Sequence, residues 1–316
     1  MKRIIWILIL LVFICLCYLS ALPGSLNPDW LPASSKWVLH FDQARFAGTR
    51  LYSLLDLKKA AQIGFPVEIN RYLQVDFNRD VKSLTIAVFP KPDKQEKGDQ
   101  IMVILQGKFD RNRIISKLKE KENKLKTRQL SGVTVYSWRN DSHLFFPVPG
   151  VLVFCESSTG PESIVNLHRG RNRGLPKTAA LYKMLSEAPA NAFVLAAAID
   201  VSELARHAPR TMVLESSSLA FFMALEEKDL LNAMLKLATE SAAKAANLQQ
   251  VVTGLKALAA MKSTAEKKDN NDFDWQELLG SVRVGAEENR LVLSISYPVD
   301  KMAALLGGGK KPEKKN

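Results

Sequence analysis

Histidine and cysteine are scarce here: four His and three Cys in 316 residues. Cys15 and Cys17 fall inside an apolar run, which leaves Cys155 alone and excludes a disulfide scaffold. No Gly-x-Ser-x-Gly turn exists to offer a serine nucleophile, and no His-Glu-x-x-His exists to hold zinc on one helix face. Gly307-Gly308-Gly309-Lys310 lacks the upstream glycine and the Ser/Thr of a phosphate-cradling loop, and reads as a flexible basic tail over 307–316. The sequence therefore assigns no catalytic residue, no metal ligand and no cofactor. Glycine and proline are ordinary, and a 47% hydrophobic content excludes a disordered or collagen-like chain.

The amino terminus carries the most specific pattern. Lys2 and Arg3 precede an apolar stretch from Ile4 to Leu22, about the length that spans a bilayer as a helix. A positive start before such a run reads as an export signal, either cleaved near Ala21 or kept as a membrane anchor over 1–22. Ile14 and Leu16 are too bulky to precede a lipid-modified cysteine. The expected location is extracytoplasmic: periplasmic or cell-envelope, anchored or secreted. Residues 23–36 hold Pro23, Pro28 and Pro32 and read as a short linker.

Charge is unevenly placed. The net of +12 is concentrated at 108–128, at 169–177, and at the two ends, so the remainder is slightly acidic. On the helix expected after Asp110, Arg113, Lys117, Lys121 and Lys124 line up at steps of four, four and three, as an anion-binding stripe would. Its partner would be an acidic envelope component or anionic lipid. Export and the lack of interleaved aromatics argue against nucleic acid.

The remaining chemistry-bearing residues have plain readings. His40 and Asp42 share one face of a strand and together supply two ligands at most, so a hydrogen-bonded strand end is the economical account. His143 follows Asp141 and Ser142 in a polar turn, His168 opens a basic stretch, and His207 sits in an Arg206–Arg210 turn. Glu226-Glu227 reads as a helix cap, and Cys155 as a buried strand thiol.

Strand and helix patterns alternate in mixed order. Trp37–Phe41, Leu84–Val88, Ile101–Leu105, Val133–Trp138 and Val151–Cys155 read as strands. Helices are expected after Thr49, Asp110 and Pro161. In the second half, Phe193–Ile199, Leu219–Leu225, Val282–Ala286 and Leu291–Tyr297 read as strands. A long helix is expected over 229–262 because Leu231, Met234, Ala238, Ser241, Ala245, Leu248, Val252, Leu255 and Ala259 recur at steps of three and four. The predicted fold is α+β: an antiparallel or mixed sheet packed by helices, in two similar halves at 37–187 and 188–306, with one long helix in the second.

The signal-like start, Leu31-Pro32, and the strand opening Trp37-Val38-Leu39-His40-Phe41-Asp42 resemble a loose class of uncharacterised secreted or envelope-anchored bacterial proteins. That resemblance implies location and fold type and brings no activity with it. The functional expectation is a non-catalytic envelope protein that binds or has a structural role. The alternatives are an extracytoplasmic hydrolase-like enzyme with a site assembled from scattered residues, and a dimer joined through the 229–262 helix.

Overall fold

A computed structural model describes residues 26–55, 73–90, 99–122, 124–138, 142–156, 161–201, 217–265 and 275–306. The apolar run at 4–22, Asn140-Asp141, His207 and the 307–316 tail lie outside these residues. Among the described residues, no helix is long and apolar enough to cross a membrane. The fold is α+β with an antiparallel sheet: twelve strands and nine α-helices among the described residues. They fall into two compact units. The larger comprises described residues at 26–48 and 73–197, the smaller those at 49–55 and 198–306.

In the larger unit, β1 (Trp37–Asp42) pairs with β2 (Val81–Pro90), which forms a hairpin with β3 (Asp99–Gly107). After α4 (Arg111–Lys121) come β4 (Lys126–Leu130), β5 (Val133–Trp138), β6 (Ser142–Phe145) and β7 (Val151–Glu156), and β7 closes back onto β3. With β8 (Val194–Ile199) beside β1, the strand order is β8-β1-β2-β3-β7-β6-β5-β4. Short helices α1 (Gln43–Ala47), α3 (Phe77–Asp80), α5 (Glu162–His168) and α6 (Ala180–Ser186) complete the unit. Asp110 caps α4 as expected, its carboxylate accepting the Arg113 N–H at 3.0 Å, and Ile114, Ile115 and Leu118 form the buried face.

One face of β2 is buried throughout and the other only in part. The alternation of Leu84, Ile86 and Val88 with Thr85 and Ala87 suggests a strand with one buried face, the apolar one. Instead Ser83, Thr85, Ala87 and Phe89 are all buried, and Ile86 and Val88 are the half-exposed pair. Where β2 meets β3, Gly107 lies so close to the Asp80 carbonyl that a Cβ would sit 1.9 Å from its oxygen. Only glycine fits this crossing, beside the register shift between Val81 and Ser83.

The 23–36 linker reading needs correction over its described part. Pro28–Trp30 forms one 3₁₀ turn, Leu31 is fully buried, and Pro32 bridges Gly174. This segment is packed structure, because Leu31 and Trp30 supply apolar area to the unit.

In the smaller unit, β9 (Leu219–Glu227) and β10 (Leu230–Ala238) form a hairpin. The α7 helix (Ala242–Ala265) and α8 (Trp275–Ser281) follow, then the hairpin β11 (Val282–Glu287) and β12 (Arg290–Pro298), and α9 (Val299–Leu305). β12 pairs with β10, giving the order β11-β12-β10-β9. Leu237, Leu248 and Leu291 form its core cluster, with Leu235, Val252 and Val284 against it. The smaller unit also takes α2 (Arg50–Leu54), opened by Thr49, whose hydroxyl accepts the Tyr52 N–H at 3.1 Å.

The helix expected over 229–262 is therefore strand over its first nine residues from Leu230, which form β10 between β9 and β12, and helix only from Ala242. Lys228 and Asp229, both at positive φ (52° and 62°), make the two-residue hairpin turn that twisted strands favour. With β10 restored, the two units share one topology. In each, a hairpin, a helix, a second hairpin and a short helix follow in order, and the strands lie as β2-β3-β7-β6 in one and β9-β10-β12-β11 in the other. Beyond that framework the larger unit carries one extra hairpin, β4–β5.

Candidate functional site

The basic residues of 108–128 do not form one stripe. Arg113 Nη2 lies 3.4 Å from Asp80 Oδ2, and Asp80 also takes Arg79 Nε at 2.9 Å and the Asp76 N–H at 3.0 Å. Arg113 thereby ties α4 to α3. Lys117 pairs with Glu120 one turn on. Lys121 is the last helical residue, and Lys124 lies past the Glu122 C-cap, off the helix. Two of the four expected stripe residues are thus ion-paired, and one is not helical.

The structure instead gathers the two basic segments that the sequence separates. Ser131, in the β4–β5 turn, donates to Asn166 Oδ1 at 2.7 Å and accepts from Arg171 Nη1 at 2.7 Å. Arg128 on β4 reaches Glu162 on α5 at 2.7 Å. Residues 124–131 and 162–171 therefore lie side by side. In and beside these two segments Lys124, Lys126, Arg169 and Arg173 are exposed, with no ion-pair partner among the described residues. Such a set attracts anions over about one Debye length and weakens with salt.

Lys126 and Arg128 are legible in the sequence as cations of the 108–128 cluster, but nothing there marks them as strand residues. β4 is polar and wholly exposed from Lys126 to Gln129, so it has no apolar alternation to announce it. The available signal was its turn: Ser131 and Gly132 both have positive φ (50° and 78°) between Leu130 and Val133.

The histidines and the thiol are spent on structure. His40 is buried opposite Thr85, its Nδ1 2.9 Å from Thr85 Oγ1. Burial pushes its pKa from 6.5 down to about 3, with the nearby Arg45 charge adding to the effect. Asp42 caps α1, accepting the Arg45 N–H at 3.0 Å, with Arg45 Nε 3.2 Å from its other oxygen. His40 and Asp42 thus have separate partners and do not bond to one another.

His143 is not in an exposed turn. It is buried on β6, with Ser137 Oγ 2.8 Å from its Nδ1. His168 ends α5 and is buried between Trp30 and Phe145, at ring-centroid distances of 5.5 and 6.0 Å, with neither ring nitrogen hydrogen-bonded. Burial lowers its pKa to about 4. Cys155 is buried on β7, and burial raises its thiol to about 12, Glu156 adding to the effect. Among the described residues, no group of three or more His, Cys, Asp or Glu could hold a metal ion.

Glu226 is a cap, though of a different helix from the one expected. Its carboxylate accepts the N–H groups of Arg50 (2.7 Å) and Leu51 (2.8 Å) at the start of α2. Arg50 in turn pairs with Asp229 and Asp300.

No protein-family model matches this sequence, and no curated protein does. Solved structures are similar in fold. Crystal form III of TP0453 matches with a TM-score of 0.50 at 11% identity, covering 90% of this chain and 99% of that one. Crystal form IV matches with a TM-score of 0.50 at 11% identity, covering 89% and 97%. At this identity the likeness establishes a shared fold and nothing more.

Proposed function

We propose that this chain is a non-catalytic extracytoplasmic protein of the cell envelope that binds an acidic partner through the basic surface at 124–131 and 169–173. The observation that carries the reading is the convergence of two distant basic segments on one turn, where Arg171 reaches Ser131 and Arg128 reaches Glu162. Like charges gathered on one surface repel by a few tenths of a kcal/mol per pair, a cost that an anionic partner removes. The export-like amino terminus supports the location. The non-catalytic part is supported by His40 and His168, whose pKa values of about 3 and 4 keep them from exchanging protons near neutral pH.

The test is co-sedimentation of the full-length protein with a bacterial envelope fraction at low and high salt. The Lys124→Gln, Lys126→Gln, Arg128→Gln and Arg171→Gln variant should lose most of the salt-sensitive binding. Undiminished binding would refute the basic-surface reading. A second reading, self-association through α7, is favoured by Leu255, Leu258 and Met261, which are 48%, 57% and 70% exposed on its last turns. Sedimentation equilibrium at tens of micromolar decides it: a monomer discards it.

A further inference from the structure

The strand order of the smaller unit ends in β11 and that of the larger unit in β4, and the two end strands are treated differently. In the β11–β12 hairpin, Glu287 and Arg290 flank a two-residue turn, so alternation of the ladder turns the carbonyls of Val282 and Val284 outward. Both are capped by α7: Gln249 Nε2 donates to Val284 O at 3.3 Å, and Lys256 Nζ donates to Val282 O. That edge is closed.

The same geometry applied to β4 gives the opposite result. Leu130 and Val133 flank the Ser131-Gly132 turn, so Leu130, Arg128 and Lys126 bond to β5, and Thr127 and Gln129 turn their N–H and C=O groups outward. No described residue donates to or accepts from those groups, and Lys126 to Gln129 are exposed. β4 belongs to the hairpin that the larger unit adds to the framework shared by the two units. The addition carries the sheet past β6, the counterpart of the covered β11, and leaves it open.

Charge selects what such an edge accepts. A second copy of β4 would set Lys126 and Arg128 against the same cations, which disfavours self-pairing. An acidic strand would meet Lys126 on the strand and Lys124 beside it, with the exposed Arg128 and Arg171, which also hold Glu162 and Ser131, next to them. We infer that β4 is a docking edge for strand addition: an extended acidic peptide segment of a partner protein pairs with Thr127 and Gln129 through its backbone while its carboxylates meet these cations. This inference rests on the basic-surface reading above and adds the backbone to it.

The probe is a capped, fluorescently labelled peptide alternating Glu with Val, titrated with the full-length protein at low salt and read by anisotropy. Thr127→Pro removes an outward N–H and no β5 bond, and proline is tolerated at such edge positions. It should weaken peptide binding roughly tenfold, since a strand-addition bond is lost and the ring obstructs the approach. The same peptide N-methylated at alternate amides should lose binding similarly with the unaltered protein, which keeps the test valid if the proline variant folds poorly.

Lys126→Gln with Arg128→Gln should weaken both salt-sensitive envelope binding and peptide binding. Loss of binding in the charge variant together with undiminished binding of the N-methylated peptide would overturn strand addition and leave the basic-surface reading standing. Unchanged binding in the charge variant would overturn both.

Discussion

Mild acid should destabilise the larger unit through two histidines. His40 and His168 have folded pKa values of about 3 and about 4, against an ordinary 6.5. For a base, a lowered folded value means that the unfolded chain takes up the proton first as pH falls. The stability in question is present above pH 6.5 and is lost progressively as pH drops toward the folded values. Each group then removes about 1.4 kcal/mol per pH unit. At about pH 5 the pair together removes roughly 4 kcal/mol, a large share of the roughly 5–15 kcal/mol that holds an ordinary domain folded. The assay is urea denaturation followed by circular dichroism at about pH 7.5, 6 and 5. It compares the natural protein with a double variant, His40→Gln and His168→Phe. Glutamine keeps a polar head for Thr85, and phenylalanine fits the aromatic slot between Trp30 and Phe145. The natural protein should lose about 4 kcal/mol across the range, and the double variant about 1 or less. Equal losses in the two proteins would refute the assignment of acid sensitivity to these rings.

At neutral pH, His168→Phe alone should stabilise by about 1 kcal/mol in the same assay, because it removes two buried ring nitrogens that lack hydrogen bonds. Gly107→Ala should cost at least about 3 kcal/mol or prevent folding, since its Cβ would sit 1.9 Å from a backbone oxygen that cannot swing aside. Expression level and thermal melting check it. Glu226→Ala should cost about 1 kcal/mol, as loss of a cap does, and should speed hydrogen exchange at the Arg50 and Leu51 amides while leaving β12 protected.

What the sequence revealed was local chemistry. Asp110 and Thr49 announced their helices because a capping side chain bonds two or three residues away. The strands from Ile101 to Leu105 and from Val151 to Cys155 stood out as unbroken apolar runs, and all of their residues but Ile101 and Phe154 are buried. β10 was illegible for the opposite reason. Its Leu, Met, Ala and Lys residues favour helix intrinsically, and Leu231, Met234 and Ala238 even fall at helical steps. Pairing on both sides, with β9 and with β12, overrides that preference, and neither partner can be read from the segment itself. The turn gave no warning, because Lys228-Asp229 lacks the glycine or asparagine that usually marks positive φ. The candidate surface was half legible for a related reason: its charges can be counted in sequence, whereas the turn that gathers them joins residues forty apart.

The treatment of the edges explains one more feature of α7. At about 1.5 Å per residue its 24 residues extend roughly 36 Å, whereas the six residues of β11 extend roughly 20 Å. The helix is longer than the edge it covers. Gln249 and Lys256, two turns apart, reach carbonyls two residues apart on the strand, so the covering stretch ends near Lys256. Ala245 and Leu248, seam positions before that point, are buried; Leu255, the seam position beside it, is 48% exposed, and off the seam beyond it Leu258 and Met261 are more exposed still. The regular three-and-four spacing that suggested one continuous seam therefore serves the core only over its first turns. Periodicity reports which residues share a helix face, and the length of the opposing strand decides how much of that face is covered.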